Sequence, residues 1–262
     1  MSNTRSAFEI GSARIAPGRR QTVDLPVSQL SDHTPVSMSV HVVHGRRPGP
    51  VLFVSAAIHG DEVIGVEIAR RILRAPQLDR MRGTLLVVPI VNAFGFLNHS
   101  RYLPDRRDLT RSLPGAARGS LTGRLAHLLM TEVVARSDLG IDLHSAAMHR
   151  INLPQIRISA TSETAAEMAQ AFRAPVTIEA GLREGSLRAA AGEKGVDILL
   201  FEAGEALRLD ETSAGVGTAG ILRVMRAQSM IAGTGVPKAR AASIRTTGTH
   251  WLRAPAGGLF RA

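Results

Sequence analysis

The chain reads as an α/β protein whose mostly parallel, mixed central sheet carries helices on both faces. Three features point there. Residues 51–57 form a short apolar run with β-branched content, suited to a strand buried on both sides. Residues 62–74 space Val66, Ala69 and Ile72/Leu73 at helical period. Residues 84–91, after Gly83, make a second buried strand, so strand, helix and strand form a βαβ unit with parallel strands.

The other elements follow the same signals. Residues 36–43 alternate apolar and polar side chains, the period-2 pattern of a half-buried strand, with His41 on its polar side. Pro48-Gly49-Pro50 is a turn. Ser120 caps a helix carrying Leu121, Leu125, Leu128 and Val133 on one face. Strands are expected at 139–143, 176–178 and 197–201, and helices at 164–172 and 220–231. Residues 91–120 are rich in Arg, Pro and Gly with weak periodicity, and long loops of that kind are often functional. Residues 249–253 read as a strand followed by Pro255, Gly257-Gly258 and Leu259-Phe260. That divides the chain into a first domain over residues 1–245 and the beginning of a C-terminal β-rich domain over 246–262, incomplete at Ala262.

Composition narrows the function. The chain has 262 residues, 44% of them hydrophobic and 21% charged, which excludes wholesale disorder. No apolar run approaches the ~20 residues of a membrane span, and the N-terminus lacks an apolar signal core, so a cytoplasmic protein is expected. Without cysteine, any metal must be held by His, Asp or Glu. The net charge of +10 invites a nucleic-acid reading. However, of the basic residues only Lys194 and Lys238 are lysines, the arginines are scattered, and aromatics are 3% of the chain, leaving little for bases to stack on. No nucleic-acid or membrane partner is therefore expected, and a homo-oligomer is left open.

Ligands gather at the carboxyl ends of strands in open α/β sheets. There the sequence puts His59-Gly60-Asp61-Glu62 after residues 51–57, His144 after 139–143, and Glu202 and Glu205 after 197–201. Two histidines and a carboxylate are a catalytic zinc set with one position open to water. His59 and Glu62, three apart, can face one ion, and Asp142 lies on the face of His144, where it can orient the imidazole. Chance alone yields roughly 0.4 His-x-x-Glu spacings in such a composition, so convergence of the strand ends carries the argument. Glu179, in surroundings that nearly copy those of Glu202, competes for the role of base. Glu205, His99 and His149 stand near the expected site, while Arg106 and Arg107 read as solvated loop charges.

These residues resemble the succinylglutamate desuccinylase/aspartoacylase family, which is related to the zinc carboxypeptidases. The resemblance runs from about Val51 onward. It rests on the order of His59-Gly60-Asp61-Glu62, Asp108-Leu109-Thr110-Arg111-Ser112-Leu113-Pro114-Gly115, Asp142-Leu143-His144 and Glu202-Ala203-Gly204. Arg150-Ile151-Asn152-Leu153-Pro154 looks like a bacterial branch that includes N-acyl-diaminobutyrate deacetylase-like proteins. The resemblance implies a zinc carboxypeptidase-like fold and one Zn2+ per chain on His59, Glu62 and His144. It further implies Glu202 as general base, Arg101 polarising the scissile carbonyl and Arg111 gripping a substrate carboxylate. Arg150 and Asn152 are candidate substrate contacts. Thr110 stands where the family usually has Asn, which loses the amide's paired donor and acceptor and bears on the choice of substrate.

The expected function is a zinc-dependent amidohydrolase, a deacylase acting on a small-molecule N-acyl substrate such as an N-acyl amino acid. A metallocarboxypeptidase acting on short peptides is the alternative that shares the chemistry. A basic nucleic-acid-binding protein and a noncatalytic scaffold are the alternatives from other classes.

Overall fold

The computed structural model describes residues 5–239 and 241–258. In chain order it contains β1 (Phe8–Ile10), β2 (Ala13–Ile15), β3 (Arg19–Gln29), β4 (Pro35–His44), β5 (Arg47–Ala56), α1 (Ile64–Leu73), β6 (Arg82–Val88) and α2 (Ala93–Leu97). It continues through α3 (Leu121–Glu132), β7 (Leu139–Ala146), β8 (Asn152–Ile158), α4 (Glu163–Phe172), β9 (Val176–Glu179) and α5 (Leu187–Gly192). The last elements are β10 (Asp197–Glu205), α6 (Glu211–Ala227) and β11 (Ile244–Thr246). β1 and β2 form a small antiparallel hairpin, and the rest form one nine-stranded sheet ordered β11-β9-β8-β10-β7-β5-β6-β4-β3. β5 pairs in parallel with both β6 and β7, and β7 with β10, while β3, β4 and β8 bring the antiparallel pairings.

The apolar residues divide between the two faces as the α/β reading requires. On one side Ile64, Ile68 and Ile72 of α1 join Phe172, Phe201, Ile221 and Met225 in a core under α1, α4 and α6. On the other, Phe53, Leu86 and Ile198 pack under Leu125, Leu129 and Met130 of α3 and Leu187 of α5. Ser120 caps α3 by accepting from the Gly123 N–H at 3.1 Å. The segment 91–120 holds α2 and a single 3-10 turn, Leu109–Arg111, and is otherwise irregular.

Besides the turn expected at Pro48-Gly49-Pro50, which instead lies inside β5 where its register against β6 shifts between Arg47 and Val51, two expectations are corrected. α6 starts at Glu211, not at residue 220, and ends at Ala227, before 231. Its first half is glycine-rich, which lowers helix propensity, but close packing demands two of these glycines, Gly217 and Gly220. A Cβ at Gly220 would lie 2.3 Å from the Phe172 ring, and one at Gly217 2.5 Å from Ile68. Asp210 starts the helix by accepting from Ser213 N at 2.6 Å. The second correction concerns the strand expected at 249–253: residues 247–258 have no regular structure. The edge strand is β11 instead, whose Ile244, Arg245 and Thr246 pair with Val176, Thr177 and Ile178 of β9. Leu259-Phe260 lie outside the described residues.

Gly140 of β7 illustrates how tightly the sheet centre is filled. An added Cβ would meet the fully buried Phe53 ring at 2.3 Å. Gly140→Ala is therefore expected to cost about 1–3 kcal/mol through overpacking. Urea unfolding would measure it, and an unchanged midpoint would contradict this account of the packing.

Candidate active site

β5 ends at Ala56, and the chain turns through Ala57 with a φ of 48° before reaching His59. Gly60 is held against α2: a Cβ there would sit 1.9 Å from the Gly95 carbonyl carbon, so only glycine fits. Glu62 N donates to His59 O at 3.1 Å, a turn that leaves both side chains buried and side by side. His144 comes from β7, the neighbour of β5, where Ser55 registers with Asp142 and Ala56 with Leu143.

The three side chains meet through one carboxylate. His59 Nδ1 lies 2.7 Å from Glu62 Oε1, and His144 Nδ1 lies 2.8 Å from Glu62 Oε2. Each imidazole is held from behind by a second carboxylate. His144 Nε2 is 2.8 Å from Asp142 Oδ2, and Ser55 Oγ donates to Asp142 Oδ1 at 2.7 Å. His59 Nε2 is 3.3 Å from Asp108 Oδ1 and 3.2 Å from Thr110 Oγ1. Carboxylates behind imidazoles are the arrangement that fixes the tautomer and ring plane of metal-binding histidines.

Opposite charge, more than burial, governs the carboxylates and imidazoles of this cluster. Burial would raise the Glu62 carboxyl, but the His144 and His59 imidazoles outweigh it and hold the group well below the usual carboxylate range. Burial likewise opposes charge on His144, yet Asp142 and Glu62 raise it well above an ordinary histidine. Asp108 is held low, against its burial, by His59, Thr110 and Arg101. One ligand atom each from His59, Glu62 and His144 lies within 4.8 Å of the others, so the donor set fits one metal ion.

These residues open into a cavity of about 360 Å3. His59, Glu62, His144, Arg101, Thr110, Arg111, Arg150, Asn152 and Glu202 all line it. Glu202 lies within β10, opposite His144 in the β7 register, and Asn152 Nδ2 donates to its Oε2 at 2.7 Å. Burial pushes the Glu202 carboxyl above its ordinary range. Arg101 Nη1 stands 3.2 Å from His59 Nδ1, while its Nη2 pairs with Asp108 Oδ2 at 3.0 Å. Arg111 Nη1 donates to the Thr110 carbonyl at 2.9 Å. A larger hollow of about 610 Å3, walled by Arg19, Arg20, Arg46, Arg47 and Arg80, lies at the start of β5, away from this cluster.

The competing residues fall elsewhere. Glu179 ends β9 and pairs with Arg245, outside the cavity. Glu205 accepts from the His149 N–H at 2.8 Å and pairs with Arg208. His99, His149, Arg106 and Arg107 do not line the cavity. Four residues that do shape the site carried no role in the sequence reading: Asp108, behind His59, and the cavity-lining Arg157, Arg183 and Arg188. The alternation of Ile156 and Ile158 around Arg157 was the available signal for β8, and Pro154 obscured it.

Comparison with known proteins agrees with this architecture. Residues 48–228 match the model of the succinylglutamate desuccinylase/aspartoacylase catalytic domain. The N-alpha-acetyl-L-2,4-diaminobutyric acid deacetylase of Halomonas elongata is 28% identical over 160 residues, covering 59% of this chain. The match spans about half of that enzyme, 47% of its length. The product-bound ectoine utilization protein EutE (DoeB) of Ruegeria pomeroyi superposes with a TM-score of 0.79 at 22% identity, covering 88% of this chain and 72% of that one. A Rhodobacter sphaeroides succinylglutamate desuccinylase/aspartoacylase gives a TM-score of 0.76 at 23% identity, covering 87% and 71%. At these identities the superpositions speak for the fold. The family model covers well over half of the sequence, and the chain belongs to the succinylglutamate desuccinylase/aspartoacylase family.

Proposed function

We propose that this chain is a zinc-dependent deacylase that hydrolyses the amide bond of an N-acyl amino acid or similar small N-acylated amine, and that it works in the cytoplasm. Among the described residues no helix is long and apolar enough to cross a membrane. The observation that carries the reading is the convergence of His59, Glu62 and His144, with Glu202 beside His144 on the next strand. The deacetylase relative, whose name specifies an N-acetylated amino acid, supports the choice of substrate class.

In this reading His59 Nδ1, Glu62 and His144 Nδ1 hold the metal, while Asp108 and Asp142 keep the two rings aimed. A zinc ion held there would bring the pKa of a bound water down to about 7 and polarise a carbonyl. Glu202 takes the proton of the attacking water and hands it to the leaving nitrogen; its raised affinity for protons brings it toward the working pH of a general base. Asn152 holds one Glu202 oxygen and leaves the other free for that exchange. Arg101 supplies positive charge to the developing oxyanion. Arg111 forms a bidentate contact with a substrate carboxylate, and Thr110 and Arg150 line its approach. Hydrolysis of N-acetyl amino acids in preference to dipeptides would separate this reading from a short-peptide carboxypeptidase.

Four outcomes are expected. Glu202→Gln should keep the metal, by elemental analysis, and lose turnover by ~10² or more; full turnover would contradict the assigned role. His144→Ala should purify without metal, and Asp142→Asn should weaken metal affinity about 10–100-fold in a competition titration. Treating the wild-type protein with chelator should lower its melting temperature, and zinc should restore it, because binding to the folded state alone stabilises it. A melting temperature indifferent to both would remove the metal centre from the proposal.

A further inference from the structure

A separate group of arginines stands at the other end of the sheet, in the hollow of about 610 Å3 at the start of β5. Three segments supply it. Arg19 and Arg20 open β3, Arg46 and Arg47 follow β4 on the way into β5, and Arg80 ends the 3-10 turn Pro76–Arg80. Asp79 is the one carboxylate of the lining, and Arg20 takes it, Nη2 to Oδ1 at 2.7 Å. Arg19, Arg46, Arg47 and Arg80 pair with no carboxylate among the described residues. More positive charge surrounds them. Arg47 registers with Arg82 across the β5–β6 pair, where like charges side by side are unfavourable. Arg5 stands behind the turn, donating to Gly45 O at 2.8 Å and to Gly83 O at 2.6 Å. An anion in the hollow would relieve the repulsion that this gathering creates.

The backbone fixes where these side chains stand. Gly45 passes so close to Met81 that a Cβ would lie 2.3 Å from the Met81 carbonyl oxygen, which sets the turn presenting Arg46 and Arg47. Arg46 lies across Gly18, where a Cβ would meet its Cγ and Nε at 2.8 Å and its Cζ at 2.9 Å. Arg20 is held by Asp79 and by the Leu73 carbonyl, at 3.3 Å. Charges placed before a ligand arrives cost little to organise on binding. Val43, Leu78 and Met81 are buried beneath them, and an apolar floor focuses the field of the charges above it.

We propose that Arg19, Arg46, Arg47 and Arg80 form a binding site for a compact polyphosphate group, a diphosphate or triphosphate, separate from the hydrolytic cavity. The guanidinium fork matches phosphate oxygens two at a time. The unpaired charge of these arginines exceeds the about −1.5 to −2 of a single phosphate group, so a group with more than one phosphate fits it better. The hollow has the size of a small-molecule site, and no Phe, Tyr or Trp lines it, which leaves a nucleic acid no ring to stack on. β5 runs from Arg47 here to Ala56, three residues before His59, so about 30 Å of strand separates the two sites. The ligand therefore takes no part in amide hydrolysis. An inorganic diphosphate and the phosphate tail of a nucleotide present the same chemistry.

The test is titration calorimetry of the purified protein with pyrophosphate, ADP, orthophosphate and sulfate at one ionic strength. Pyrophosphate or ADP should bind about tenfold or more tightly than orthophosphate and sulfate, as charge-assisted bidentate contacts allow. Tighter binding of ADP identifies a nucleotide tail as the source, and tighter binding of pyrophosphate the inorganic ion. Arg46→Gln and Arg47→Gln together should weaken that binding about tenfold or more, and Arg80→Gln, on another segment, should weaken it too. Arg111→Gln, in the hydrolytic cavity, should leave it unchanged. Sulfate binding as tightly as pyrophosphate would reduce the hollow to a cloud of counter-ions and overturn the proposal. So would full pyrophosphate binding in the double variant, or its loss in Arg111→Gln.

Thermal unfolding gives a second readout. Pyrophosphate should raise the melting temperature of the wild type and leave that of the double variant unmoved, because binding to the folded state alone stabilises it. Without ligand, the double variant should melt no lower than the wild type, since it loses cations that crowd one another. A lower melting temperature would mark these arginines as structural and overturn the assignment. A single-stranded oligonucleotide that binds more tightly than ADP, and loses affinity in the double variant, would make this a nucleic-acid surface and overturn it as well. None of these measurements depends on whether an N-acyl compound is hydrolysed.

Discussion

A single buried carboxylate organises this molecule. Glu62 meets a different imidazole with each oxygen, at 2.7 and 2.8 Å. Burying a carboxylate is costly unless opposite charge and hydrogen bonds compensate, and here two rings and the Ser145 N–H, at 3.0 Å, supply them. That demand propagates outward. The rings must be aimed, so Asp142 and Asp108 stand behind them; Asp142 in turn requires Ser55, and hence the pairing of β5 with β7. The turn carrying His59 must lie on α2 at Gly60, which ties the irregular segment after residue 91 to the same point. Much of the fold around the cavity follows from seating one anionic group between two imidazole rings.

The cavity that results is electrically uneven. Glu62, Asp108, Asp142 and Glu202 gather around the imidazoles, with Arg101 reaching over them to pair with Asp108. Arg111, Arg150, Arg157, Arg183 and Arg188 supply the rest of the charged lining. A bound molecule with anionic substituents has one favourable orientation in such a field: its charged groups face the guanidiniums, and its uncharged part is left for the end that holds the carboxylates. Orientation of this kind is inexpensive because the charges are fixed before the ligand arrives, so little reorganisation accompanies binding. The net charge of +10, which by itself invites a nucleic-acid reading, is thus in part the charge of the cavity lining.

What the sequence revealed, and what it hid, divides along the range of the causes. The βαβ unit through β5, α1 and β6 was legible because apolar periodicity is a local signal, and so was the convergence of His59, Glu62 and His144 at strand ends. The polar edge strand β3 was not legible. Its buried face is limited to residues such as Val23 and Leu25, and an edge strand needs no continuous apolar run. α6 was half hidden because Gly217 and Gly220 answer to Ile68 and Phe172, residues far away in sequence. Arg157 and Arg188 look like surface charges in any window of sequence; the pairing of β8 with β10 and the docking of α5 shield Arg157 Nε and Arg188 Nη1 from water. Residues 249–253 erred the other way, since a β-like composition without a partner edge forms no strand.

Thr110 shows how a substituted position can change its task. An asparagine there could spend its amide on a ligand while leaving Asp108 to the histidine, but a hydroxyl has a single proton to give. Thr110 gives that proton to Asp108 Oδ1 at 2.7 Å, and its lone pairs face His59 Nε2 at 3.2 Å. Its backbone N–H goes to the same carboxylate oxygen, and its carbonyl accepts from Arg111. The residue is thereby absorbed into the support of His59 and Arg111 and has little left to offer a substrate. On the proposed reading, recognition of a substrate carboxylate falls on the guanidinium groups that line the cavity.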